Sequence, residues 1–130
     1  MSVVFTNGCF DIIHRGHIEL LRYAKSQGNK LVVGLNSDTS VTQNKGPNRP
    51  IHNQEDRKAV IESIRWVDEV IIFNEKTPIN LINLIKPDII VKGGDYKTSE
   101  VVGHKVATVK IFELLDGLST TKAVKNISNR

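Results

Sequence analysis

The side chains best suited to chemistry lie in one run, Asn7-Gly8-Cys9-Phe10-Asp11-Ile12-Ile13-His14-Arg15-Gly16-His17. Gly8 frees the backbone to turn tightly, and Gly16 lets a ligand come close to the start of a following helix. The N-terminus of a helix offers unpaired N–H groups and partial positive charge, which together make an anion site. His14 and His17 flank Gly16, so both rings can face one phosphate and donate to it as negative charge builds. The same spacing serves a helix cap or a surface histidine, and spacing alone leaves those readings open. A two-histidine metal site is a further reading, but no third ligand has convincing spacing, and no metal ligand is assigned. Cys9 has no base and orienter beside it in the pattern, and it reads as a small buried residue rather than a nucleophile.

The elements around that run must hold it in place. Short β-branched stretches alternate with helical periodicity, the signature of a parallel sheet covered by helices. Val3–Thr6 reads as the first strand, ending at Asn7-Gly8. Ile18, Leu20, Leu21 and Ala24 keep helical spacing until Gly28-Asn29. Leu31–Leu35 forms the second strand and runs into Asn36-Ser37-Asp38, which suits a turn or an N-cap. Gln43–Asn53, with Gly46, Pro47 and Pro50, reads as a long loop, of the kind that often carries function. Val60, Ile64 and Val67 give the next helix its apolar stripe, and Val70–Phe73 is the third strand. Thr77 is read as an N-cap with Pro78 at the first helical position, Leu81, Ile82 and Ile85 as the buried face, and Lys86-Pro87 as the stop. Asp88–Lys92 is the fourth strand, closing on Gly93-Gly94-Asp95. A fifth strand falls within Lys105–Leu115, and Ser119 caps a last helix. Ligands of such sheets sit at the carboxyl ends of the strands, which points to Thr6–Gly16, Asn36–Arg49 and Lys92–Tyr96.

Composition narrows the class without naming the chemistry. The 130 residues correspond to one domain, 1–130, with 39% hydrophobic and 25% charged residues. No apolar run approaches the roughly 20 residues of a membrane-spanning helix, and no signal-peptide layout is visible. Cys9 is the only cysteine, so no disulfide framework exists and a cytoplasmic location is expected. The net charge of +4 is spread evenly along the chain and aromatics make up 5%. Neither a nucleic-acid surface nor a membrane surface is expected from that, whereas a pocket for small anions is.

Gly8-Cys9-Phe10-Asp11 with His14-Arg15-Gly16-His17 resembles the HxGH signature of the nucleotidyltransferase superfamily that includes the cytidylyltransferases. Ser119-Thr120-Thr121, after Gly117-Leu118, resembles the superfamily's ISTT-type turn. Val33–Asp38, Lys45-Gly46, Arg49-Pro50, Val67–Val70, Thr77-Pro78, Pro87-Asp88 and Val91–Tyr96 follow in family order. Together they are similar to the adenylyltransferases that make ADP-heptose from D-glycero-β-D-manno-heptose 1-phosphate. The resemblance implies a Rossmann-like, three-layer α/β/α fold with a five-stranded parallel sheet. It implies transfer of AMP from ATP to that sugar phosphate with release of pyrophosphate. The alternative is a CTP-dependent cytidylyltransferase acting on glycerol 3-phosphate or a related phosphate. Leu114 stands where glycerol-3-phosphate cytidylyltransferases carry an arginine, which favours ATP. The stretch His104–Leu118 is shorter than in typical heptose enzymes and bears on the choice of substrate.

Further implications of the resemblance are specific to residues. His14, His17 and Lys45 would be catalytic, the histidines stabilising charge on the α-phosphate and Lys45 reaching phosphates from its loop, or else lying solvated. Gly8, Cys9, Phe10, Gly16, Lys92, Gly93, Gly94, Asp95, Ser119, Thr120 and Thr121 would bind nucleotide. Asp11, Asp38, Arg49 and Arg57 would face the substrate. Asp11 is either a contact to a phosphate-bound ion or a brace for its loop, and Asp38 either a helix cap or a substrate contact. Arg57 lies in a charged run that reads as a solvated helix start. Mg²⁺ is expected mainly on the nucleotide phosphates. A homodimer is expected, with a separate sugar kinase supplying the acceptor. Trp66, His52 and His104 are left as structural or surface residues.

Overall fold

A computed structural model describes residues 2–94 and 96–113. Strands β1 (Val3–Gly8), β2 (Lys30–Asn36), β3 (Glu69–Phe73), β4 (Ile89–Gly93) and β5 (Thr108–Phe112) form one sheet in the order β3-β2-β1-β4-β5. All four neighbouring pairs are parallel. Helices α1 (Arg15–Ser26), α2 (Asp38–Lys45), α3 (Gln54–Glu62) and α4 (Ile79–Ile85) supply the crossovers.

Alternation along the strands divides the core into two layers. Val4, Leu31, Val33, Leu35, Val70 and Val91 pack with Leu20, Leu21 and Ala24 of α1 and Ile61 of α3. Phe5, Val32, Phe73 and Ile90 face the other way, against Leu81 and Ile82 of α4 and against Val101. The architecture is the expected three-layer α/β/α sandwich, Rossmann-like, with five parallel strands.

The order reverses at β1, the central strand, where ligands of such sheets bind. The register opens that point. β1 pairs with β2 along its whole length, from Val3↔Lys30 to Gly8↔Leu35. With β4 it pairs only at Val4↔Ile89 and Phe5↔Ile90, so the two strands part towards their carboxyl ends.

Several sequence expectations are corrected. The supposed loop Gln43–Asn53 begins three residues too early, because α2 continues to Lys45 under a Ser37 cap whose side chain accepts from Ser40 N–H. Lys45 is therefore a helix-terminal residue rather than a loop residue. The apolar stripe of α3 is out of phase: its buried members are Arg57 and Ile61, while Val60 is 47% exposed. Helix α4 starts after Pro78, which is the N-cap position, and Thr77 provides no side-chain cap. Lys86 ends it in the left-handed conformation, as expected of a residue before proline that cannot remain helical. The fifth strand falls inside the expected range. Ser119 and its helix lie outside the described residues, as do Asp95, Leu114, Thr120 and Thr121.

Candidate active site

The crevice is built around the turn that leaves β1. Gly8 makes room there for the Phe10 ring: a Cβ on it would stand 3.0 Å from Cε2, so the ring would have to shift. Phe10 is buried at φ 46°, a strained value for a side chain of this size, and its burial in the α1-side core holds it there. The edge of that ring meets His17 at 5.4 Å between centroids.

The two histidines cap α1 with each other's help. His14, in extended conformation at the N-cap, accepts Gly16 N–H on Nδ1 at 3.0 Å. His17 accepts His14 N–H on its own Nδ1 at 3.2 Å. Helix starts leave such N–H groups without intrahelical partners, and serine with glutamate usually fills this role. An acceptor Nδ1 fixes the tautomer: in each neutral ring the proton sits on Nε2. His14 Nε2 is buried with no hydrogen-bond partner in the structure, and the rings lie 4.0 Å apart. Burial lowers the pKa of His14. His17 is lowered to about 4, by burial first and then by the neighbouring His14 and Lys45 charges. At neutral pH the pair therefore consists of two uncharged N–H donors beside a helix N-terminus.

Asp11 and Arg57 shape the walls. The Asp11 carboxylate is 3% exposed and accepts Ile51 N–H at 2.6 Å and His52 N–H at 2.8 Å. Between its two readings the geometry selects the brace: both oxygens are occupied by backbone. Arg57 departs furthest from expectation. It is 1% exposed, and it donates to the carbonyls of His52, Cys9 and Asn36 and to Asp38 Oδ1 at 2.7–2.9 Å. Its guanidinium ties the turn after β1, the end of β2 and the entry to α3 together, and it is neither solvated nor free for a substrate. Asp38 is the first residue of α2, with Ser37 as the cap, and it is held by Arg57. The clamp was missed because Arg57 sits in a charged run and Asp38 reads as a helix cap or substrate contact. The signal was present, however: Arg57, Ile61 and Ile64 are spaced as one helix face.

Arg49 differs from these. Its side chain is mostly buried, with Nε 3.7 Å from Asp11 Oδ2. Nε and Nη2 have no hydrogen-bond partner. A desolvated guanidinium left this way favours an anion. Lys45 is exposed at the end of α2, and its charge reaches His17, Cys9 and Lys92. Burial pushes the Cys9 thiol up, against the pull of Lys45, Arg57 and Arg49, so it remains a thiol at neutral pH and is no nucleophile. At the end of β4, Lys92 is half-buried and Gly94 has φ 121°. Gly8, Cys9, Phe10, Gly16, His14, His17, Lys92, Gly93 and Gly94 thus gather at the carboxyl edge of β1 and β4.

Among the described residues no group of three or more His, Cys, Asp or Glu could hold a metal ion. Asp11 commits both carboxylate oxygens to the Ile51 and His52 N–H groups and leaves neither free for an ion. No helix among the described residues is long and apolar enough to cross a membrane.

Comparisons with known proteins bear on the family and the fold. The cytidylyltransferase-like family model matches residues 5–128. The bifunctional protein HldE of Wolinella succinogenes is 54% identical over 127 residues, covering 97% of this chain and 27% of that protein. HldE of Aliarcobacter butzleri is 52% identical over 127 residues with the same coverage. The chain thus spans about a quarter of the length of these curated relatives. The crystal structure of the lipopolysaccharide core biosynthesis protein from Thermoplasma volcanium is 33% identical, with a TM-score of 0.73 over 88% of this chain and 97% of that one. Pantoate-beta-alanine ligase from Francisella tularensis, at 16% identity and a TM-score of 0.65 over 96% and 65%, shares the fold.

Proposed function

The chain belongs to the cytidylyltransferase-like family and is a nucleotidyltransferase, and from that premise we propose that it transfers AMP from ATP to D-glycero-β-D-manno-heptose 1-phosphate. An oxygen of the sugar phosphate attacks the α-phosphorus of ATP. The bond from that phosphorus to the β-phosphate oxygen breaks, pyrophosphate leaves, and ADP-heptose remains. No covalent enzyme intermediate is needed, so the protein acts by positioning and electrostatics.

The observation that carries this reading is the His14–His17 pair, fixed as uncharged Nε2–H donors at the start of α1. Such donors stabilise charge that develops on the α-phosphate as the leaving bond breaks. Arg49, with unpaired donors, and Lys45, at the tip of α2, add positive charge to the same face. Mg²⁺ bound to the phosphate oxygens would offset their charge. Ser119, Thr120 and Thr121 would receive the outer phosphates, and Asp95 with Gly93 and Gly94 the base. The reading includes a cytoplasmic homodimer and a kinase activity that supplies the phosphorylated sugar.

Pyrophosphate release tests the substrates directly. With Mg²⁺ and D-glycero-β-D-manno-heptose 1-phosphate, ATP should support rapid release and CTP little. Release with CTP and glycerol 3-phosphate, and silence with ATP and heptose phosphate, would replace this reading by the cytidylyltransferase one.

A further inference from the structure

Beyond the histidines, the crevice has a second compartment on the opposite face of the sheet. Side chains alternate along a strand. Asn7 follows Phe5 in facing α4, and Lys92 follows Ile90 to the same side, since Phe5 and Ile90 belong to the α4-side core. The histidines stand at the start of α1, on the other side, next to Phe10 of the α1-side core. Between the parted ends of β1 and β4, Asn7, Lys92, Tyr96, Glu100 and Val101 line a cavity of about 180 Å³. That is below the roughly 300 Å³ at which pockets for drug-sized ligands begin, so its occupant is small.

The polar groups of this cavity have capacity to spare. Lys92 makes no hydrogen bond or ion pair among the described residues, and its ammonium lies 5.4 Å from the centre of the Tyr96 ring. Burial holds that ammonium below the usual lysine range, the signature of a cation short of an anionic partner. The Asn7 amide is likewise unpartnered among the described residues. Glu100 uses Oε1 to hold Lys97 N–H at 2.8 Å, leaving Oε2 for a hydroxyl donor.

Resting on the proposed transfer, we infer that this cavity seats the acceptor, a polyhydroxylated phosphomonoester, with its phosphate on Lys92 and its hydroxyls on Asn7 and Glu100. In-line displacement at phosphorus puts the attacking and leaving oxygens on opposite sides. The acceptor oxygen must therefore reach the α-phosphorus from the side away from the departing pyrophosphate, and an acceptor phosphate held by Lys92 would approach across the crevice from the histidines. Lys92 then lowers the repulsion between two phosphates brought together, and Tyr96 covers the carbon face of the sugar. Lys92 is on this account an acceptor residue and not a nucleotide residue.

Calorimetry separates the possibilities, using a non-hydrolysable ATP analogue and, as acceptor probes, D-glycero-β-D-manno-heptose 1-phosphate and glycerol 3-phosphate. Lys92→Ala should weaken the acceptor about 10- to 100-fold, the scale of a lost charged hydrogen bond, while the ATP analogue changes less than about threefold. Lys92→Arg should restore part of the loss. Glu100→Gln should weaken heptose phosphate more than glycerol phosphate, and its surface position spares the fold. Loss of the ATP analogue with unchanged acceptor affinity in Lys92→Ala would assign the cavity to the nucleotide and overturn the inference. So would failure of the wild type to bind either acceptor. Binding of glycerol 3-phosphate alone, lost in Lys92→Ala, would retain the cavity's role and remove heptose phosphate as the substrate.

Discussion

His17 is held in the protein as an imidazole that resists protonation. Its Nδ1 is committed to His14 N–H, and its surroundings pull its pKa to about 4. The unfolded chain takes up that proton near 6.5. Between about 4 and 6.5 the unfolded state therefore binds more protons, and folding stability falls as pH drops through that window. His14, also lowered by burial, adds to the fall in the same direction. An NMR titration of the ligand-free chain should place the His17 midpoint at about 4, well below an ordinary histidine. A midpoint near 6.5 would mean that the ring is solvated and the fixed tautomer is wrong. The histidine spacing was legible in the sequence, but the mutual capping that sets the tautomer was not, because it depends on which ring nitrogen faces which N–H.

At the scale of elements, the crevice is held open by an interior cation. Arg57 joins three backbone carbonyls from three segments with Asp38, and Asp11 pins the chain at Ile51 and His52 from the opposite side. Truncating the guanidinium would leave the Asn36 carbonyl buried without its donor and free the turn at Cys9. Arg57→Ala should cost about 3–5 kcal/mol in urea denaturation, the range for breaking a buried charged network from one side. A loss under about 0.5 kcal/mol would show the network to be incidental. Strands and α1 were readable because their apolar periodicity is strong. Helix α2 was not, since Asp-Thr-Ser-Val-Thr-Gln-Asn-Lys contains mostly poor helix formers, and Val41 is its one buried hydrophobe. Its order comes from the Ser37 cap and from Ser40, whose hydroxyl donates to the Glu75 carbonyl and accepts from the Asn36 amide. Helix α3 was read out of phase because a charged residue occupies its buried face.

At the scale of the whole molecule, the sheet itself is the device. Parallel strands with β1 at the centre bring a helix start to one face of a crevice and a small polar cavity to the other, and the short β1–β4 pairing keeps the two compartments joined. This layout followed from the alternation of strands and helices in the sequence. The cavity did not, because Asn7, Tyr96 and Glu100 carry no spacing signal and meet only through the topology. On the proposed transfer, uncharged imidazole donors lower the barrier at the α-phosphate. The most direct measurement is the single-turnover rate of His17→Ala with saturating ATP, Mg²⁺ and acceptor, alongside its melting temperature and ATP affinity. The rate should fall by about 10²–10³-fold, the scale of one lost transition-state donor, with the fold retained and ATP affinity much less affected. A rate close to that of the wild type would contradict that role.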